Sequence, residues 1–191
     1  MNSSTTSREF FDAKYQDDED PWLFASSAYE LGRYNRIVAA LGDRRFRRAF
    51  EPGCSIGVLT ERLAPRCGEV LSIDISPMAC EAARRRCKDL RNVHIREGSL
   101  PADIPEGNFD LIVFSEIGYY LDREALAGVI GRLANKMEES GLFLAVHWLG
   151  TSSDHVLSGD EVHDVISRTL GYPASMSDRC AGFRMDSWVC R

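Results

Sequence analysis

A chain of 191 residues with 44% apolar side chains is long enough for one domain with a sizeable core. Its net charge of −6 speaks against a nucleic-acid binder held by phosphate contacts, and no apolar run approaches the roughly 18 residues of a membrane span. Six cysteines without a CxxC pair or zinc-type histidine spacing predict reduced thiols, no metal and a cytoplasmic protein; the expected assembly is a monomer or weak dimer.

Met1 to Ser7 lacks a basic start and an apolar core, so it reads as a short disordered tail rather than a secretory signal. Ser7 to Tyr15 is weakly amphipathic and is followed by the acidic run Gln16 to Asp20 and by Pro21-Trp22. Ser27-Ala28-Tyr29-Glu30 has capping-box spacing and opens a helix to about Leu41, where Gly42 ends it. Residues 8–46 are therefore expected to form an N-terminal helical cap, a lid anchored by Trp22. The basic run Arg44 to Arg48 reads as solvated surface.

From Arg47 strands and helices alternate, the pattern of a parallel sheet wrapped by helices. Strands are predicted near Arg48–Pro52, Glu69–Ile75, Asn92–Arg96, Leu111–Phe114 and Leu142–Trp148. Helices are predicted from Val58 to Ala64, from Pro77 to about Lys88, after Asp122 to about Met137, and from Ser158 to about Leu170. Cys80 and Cys87 would share a buried helix face, and Glu138 to Gly141 would turn the chain into the fifth strand. The alternating stretch Phe183 to Cys190, with Ala181-Gly182 before it, predicts a closing antiparallel hairpin. The expectation is a single domain over 1–191, with the sheet-containing core at 47–191.

In an open α/β sheet, ligands bind beyond the carboxyl ends of the strands. Gly53 to Gly57, Asp74, Gly98-Ser99-Leu100, Ser115-Glu116 and His147 all fall at such ends, whereas Asp110 falls at a strand start. The glycine turn, Phe50-Glu51-Pro52-Gly53-Cys54-Ser55-Ile56-Gly57, is expected to gather backbone N–H groups toward a polar ligand, and Asp74 to lie where a ribose would sit. His155 and His163, on a loop and a helix, read as surface residues.

Glu51-Pro52-Gly53-Cys54-Ser55-Ile56-Gly57 resembles the first motif of class I S-adenosylmethionine-dependent methyltransferases, with serine at the middle glycine position. That resemblance implies a Rossmann-like, mostly parallel seven-stranded sheet with helices on both faces and a closing antiparallel hairpin. It also implies that Glu51, Gly53, Cys54, Ser55 and Gly57 border the amino-acid part of the cofactor and Asp74 takes the ribose hydroxyls. Ile75 would pack on the adenine, Gly98, Ser99 and Leu100 border it, and Ser115 would stand at the methyl end. S-adenosylhomocysteine is then the product form of the cofactor.

A wider set is similar to nodulation protein S and its relatives: Phe10-Phe11-Asp12-x-x-Tyr15, Asp20-Pro21-Trp22, Tyr29-Glu30 with Arg33-Tyr34, Ser115 to Tyr120, His147-Trp148 and Ser158 to His163. That likeness implies N-methylation of the free amine of a small molecule or chitin-like oligosaccharide. It brings Trp22 and Arg33 to the cofactor, with Arg33 on the methionyl carboxylate. Glu116 and His147 become the candidate groups for accepting the amine's proton, and Tyr119 and Tyr120 ring walls for the acceptor.

Three rivals make different demands. O-methylation of another small molecule keeps the cofactor and changes the acceptor. Gly53-x-Ser55-x-Gly57 also fits a hydrolase nucleophile elbow, which needs a histidine partner for Ser55. A non-catalytic nucleoside-binding protein would keep the fold without the chemistry.

Overall fold

The computed structural model describes residues 6–190, so the first five residues of the expected tail lie outside the described residues. Two compact units divide the chain, one spanning Ser7–Ser99 and the other running from Leu100 onward with Thr6.

In the first unit, α1 (Arg8–Asp17) and α2 (Ala28–Ala40) precede β1 (Phe46–Pro52), α3 (Val58–Leu63), β2 (Cys67–Asp74), α4 (Pro77–Arg86) and β3 (Val93–Glu97). The strands are parallel in the order β3-β2-β1, with Phe50 opposite Leu71 and Asp74 opposite Glu97. Phe50, Val70 and Ile73 are buried, as strands covered by helices require. Cys80 and Cys87 are both buried on α4 and its end, and all six cysteines are free thiols.

The second unit holds β4 (Phe109–Ser115), α5 (Arg123–Ala134), β5 (Met137–Trp148), α6 (Gly159–Leu170), β6 (Met176–Cys180) and β7 (Phe183–Val189). Its strands run β4-β5-β7-β6. The β4 and β5 pair is parallel, and β7 is antiparallel to both β5 and β6. The two sets together are the seven-stranded, mostly parallel sheet with a closing antiparallel hairpin that the resemblance implies. Among the described residues no helix is long and apolar enough to cross a membrane.

Local chemistry explains the departures from expectation. Glu138 to Gly141 is not a turn before β5 but a bulge within it. Phe109 pairs with Met137 and Leu111 already with Leu142, so the extra residues loop out, with Ser140 at φ 63°. Ser158 and Glu161 form the expected capping box on α6. Ser27 heads α2 without a side-chain cap, and Glu30 ion-pairs with Arg33 one turn on instead of completing a capping box.

Candidate functional site

The glycine turn after β1 is held in an unusual backbone shape. Gly53 (φ 76°), Ser55 (φ 48°) and Gly57 (φ 79°) all have left-handed backbones. A Cβ on Gly57 would stand 3.0 Å from the Cα and Cβ of Ala83, so glycine there lets α3 start against α4. Ser55 accepts the strain because two groups hold it: its N–H donates to Asp74 Oδ2 at 2.8 Å, and its hydroxyl lies 2.5 Å from that of Tyr15.

The expected array of ligand-facing amides is corrected by these bonds. The N–H groups of Gly53 and Cys54 both donate to the Ile73 carbonyl, and that of Gly57 to the Cys54 carbonyl. With the Ser55 amide on Asp74, the amides of Gly53, Cys54, Ser55 and Gly57 are engaged within the protein. Cys54 is buried, and burial holds its thiol well above the ordinary range, so it acts as a small apolar filler. Glu51 is enclosed beneath the turn, accepting Thr60 at 2.5 Å and Ser72 at 2.9 Å, which ties β1 to α3 and β2.

Asp74, last in β2, is buried and accepts the amides of Ser55 and Ser76, the latter at 3.0 Å. Burial pushes its carboxyl up to about 6, against the lowering by those amides. A carboxylate has about four acceptor positions, so Asp74 can take these amides and still meet the hydroxyl pair of a ribose. Ile75 follows it, half-buried, and the Gly98 amide donates to the Asp74 carbonyl at 2.9 Å, which sets Gly98-Ser99 beside the acid. Leu100 opens the second unit.

The N-terminal segment is fastened to this turn, and to β3 and α4 beside it, by residues that periodicity did not single out. Besides Tyr15 on Ser55, Asp12 accepts the Ser76 hydroxyl at 2.6 Å, Arg8 pairs with Glu97 at 2.5 Å, and Glu19 pairs with Arg85. Ser76, the expected cap of α4, therefore points its hydroxyl at α1 instead of at its own helix. Trp22 stacks on Phe24 at 5.7 Å and meets Tyr15 edge-on at 5.5 Å, an aromatic cluster that gives the loop between α1 and α2 a core of its own. Arg33 is buried, paired with Glu30 and flanked by the rings of Tyr29 and Tyr34. Ser55 has Tyr15 and Asp74 as partners, and no hydrogen bond joins it to a histidine among the described residues, which removes the hydrolase elbow.

In the second unit, Ser115 is the buried last residue of β4, and Glu116 follows with φ 60°. Glu116 Oε1 accepts the Trp148 amide at 2.7 Å and Oε2 the Tyr119 hydroxyl at 3.0 Å. A left-handed backbone on a glutamate, held by two directed bonds, is the kind of strain that functional turns store. His155 stacks on Tyr119 with ring centroids 3.7 Å apart, and Trp148 and Tyr120 meet it edge-on at 6.0 and 5.3 Å. Burial lowers its pKa, against the raising by Asp154 and Glu116.

Three histidine expectations are corrected here. His155 is half-buried in this aromatic group rather than a surface residue. His163 is fully enclosed between His147 and Asp186. His147, expected to accept a substrate proton, is 0% exposed, with Nε2 receiving the Gly118 amide at 3.1 Å and Nδ1 facing His163 at 3.2 Å. Sequence reasoning missed His163 because its partner Asp186 lies 23 residues away on another element. Among the described residues no group of His, Cys, Asp or Glu is placed to hold a metal.

The family model of nodulation protein S (NodS) matches residues 6–156. Nodulation protein S of Sinorhizobium fredii is 29% identical over 161 residues, 80% of this chain and 73% of that protein. A crystal structure described as a putative methyltransferase from Pseudomonas syringae is 34% identical and covers 85% of this chain and 99% of its own, with a TM-score of 0.76. The N-methyltransferase NodS from Bradyrhizobium japonicum WM9, solved with S-adenosyl-L-homocysteine, superposes with a TM-score of 0.82 over 96% of this chain and 97% of its own. At 21% identity it speaks to the fold alone.

Proposed function

From the premise that the chain belongs to the nodulation protein S family, we propose that this S-adenosylmethionine-dependent methyltransferase acts on an amine nitrogen of a small molecule or amino sugar. The observation that carries the cofactor is Asp74, a buried carboxylate at the end of β2, fixed by the Ser55 and Ser76 amides and bordered by Gly98. Asp74 would hold the ribose, with Ile75, Gly98, Ser99 and Leu100 toward the base. The Gly53 to Gly57 turn, whose Gly53, Cys54, Ser55 and Gly57 amides are engaged internally, would offer a carbonyl oxygen to the ammonium of the methionyl part. Trp22 and Arg33 complete the set, Arg33 serving the methionyl carboxylate with Glu30 already sharing its charge.

When bound, S-adenosylmethionine supplies a methyl group already activated by its sulfonium. The protein must then orient the acceptor and take one proton from its ammonium, and orientation of this kind is worth about 7 to 11 kcal/mol. Glu116, a carboxylate braced by Trp148 and Tyr119, suits the ammonium. His155, stacked on the face of Tyr119, is placed to receive the proton. The rings of Tyr119, Tyr120 and Trp148 suit a pyranose or a cation–π contact.

The negative charge and six free thiols fit a cytoplasmic enzyme that works as a monomer or weak dimer without nucleic acid. The test is calorimetry with S-adenosylhomocysteine, followed by a methylation assay on glucosamine oligosaccharides with a free terminal amine, small amines and phenols. Cofactor binding with amine methylation is expected. Methylation of phenols alone would move the reading to oxygen, and absence of cofactor binding would end it.

A further inference from the structure

The second unit contains a buried chain of hydrogen bonds whose direction can be deduced. Gly118 supplies a backbone N–H, which only donates, so His147 Nε2 must be an unprotonated acceptor. A neutral imidazole then carries its proton on Nδ1, which faces His163 Nε2 at 3.2 Å. His163 Nε2 is consequently the acceptor, its own proton sits on Nδ1, and that N–H donates to Asp186 Oδ2 at 2.8 Å. All three side chains are enclosed, His147 and His163 at 0% and Asp186 at 1% exposure.

The anchor at the far end is overdetermined. Asp186 also accepts Ser177 Oγ at 2.6 Å and Arg184 Nε at 2.9 Å, which keeps it an acceptor. Burial favours the uncharged form of His163. At the near end Gly118 has no room to move: a Cβ there would stand 2.4 Å from Val162 Cγ1 and 3.0 Å from both His147 Nε2 and Phe114 Cε1. Val162 and His163, adjacent on α6, thus press on the same turn.

We propose that Asp186 and His163 are positioning residues that impose one tautomer on His147, so that His147 holds the Gly118 amide and thereby fixes the Glu116 to Tyr120 turn. The reason to fix it is the strain beside it: Glu116 sits at φ 60°, and its carboxylate, with Tyr119, is aimed by the turn. This deepens the proposed function, since it rests on that turn handling the acceptor.

The experiment has two arms. In the full chain labelled with nitrogen-15 histidine, His147 and His163 should both show an unprotonated Nε2 and a protonated Nδ1 from about pH 6 to about pH 8. A protonated Nε2 on His147 would overturn the proposal, whatever the enzyme methylates. In the kinetic arm, His163→Leu should lower kcat for amine methylation about 10- to 100-fold with the affinity for S-adenosylhomocysteine unchanged. His163→Gln, whose amide oxygen can still accept from His147 Nδ1, should recover most of that loss. A His163→Leu enzyme that melts earlier but turns over normally would reduce the chain to a structural contact. Should His163→Leu not fold, His163→Gln and the wild-type tautomers still decide. Should the wild type methylate no amine, the proposed function fails separately, and a shift of the Gly118 amide resonance in His163→Leu, confined to residues 116–120 and reversed in His163→Gln, reads the coupling alone.

Discussion

The Tyr15 hydroxyl lies 2.5 Å from the Ser55 hydroxyl, which joins the N-terminal helix to the strained middle of the glycine turn. A glycine at position 55 would adopt φ 48° without penalty, so serine there exchanges backbone ease for a side-chain tether.

That exchange is measurable by a double-mutant cycle. Tyr15→Phe should destabilise the protein by about 1 kcal/mol in urea unfolding, the ordinary worth of a buried hydrogen bond. Ser55→Gly should cost less than Tyr15→Phe, because relief of the left-handed backbone offsets the lost hydroxyl. The pair together should fall short of the sum, and strict additivity would mean that the hydroxyls do not interact.

Asp74 sets a pH limit on cofactor binding. Burial raises its carboxyl to about 6, and the protonated form no longer serves two hydroxyl donors. Affinity for S-adenosylhomocysteine should be level above about pH 7 and fall by up to about tenfold per unit below about pH 6. Asp74→Ala should weaken binding by roughly 1.5 to 3 kcal/mol and abolish the pH dependence, both readable by calorimetry.

The same burial acts on stability with the opposite sense. Glu51 is raised from its ordinary 4.5 to about 7, mainly by enclosure, against the lowering by Thr60 and Ser72. Between those two values the folded protein binds a proton that the unfolded chain does not, so stability declines as pH rises through that window. Glu51→Gln keeps an acceptor for Thr60 and Ser72 and removes the charge. It should stabilise the protein at pH 8 by up to about 3 kcal/mol and do little at pH 5, and equal effects at both would remove the buried charge as the cause.

Much of this was legible in the sequence, because local rules govern it. The alternation of β1 to β5 with helices, the capping box at Ser158 and Glu161, and the glycine turn between β1 and α3 each depend on residues a few positions apart. What stayed hidden depends on distance along the chain. Ser55 gave no sign of its bond to Tyr15, 40 residues before it, nor Asp12 of its bond to Ser76, 64 residues away. His163 occupies an ordinary helix position, and only the register of β5 against β7, with Ala145 opposite Asp186, brings its partners together. The bulge at Glu138 to Gly141 escaped for another reason: its polar residues and glycine have the composition of a turn, and pairing on both sides makes it strand.

Glu116 provides the sharpest test of the acceptor side. Its two oxygens hold the Trp148 amide and the Tyr119 hydroxyl, and both are donors, so the position calls for an acceptor-only group. Glu116→Gln places an NH2 against one of them. If the carboxylate meets the amine, kcat/KM should fall about 10²-fold. Affinity for S-adenosylhomocysteine should stay near that of the wild type. Tyr119→Phe removes one of the two braces and leaves the charge, so its loss should be smaller and confined to KM for the acceptor. A Glu116→Gln enzyme with full turnover on an amine would remove the Glu116 carboxylate from contact with the acceptor's ammonium.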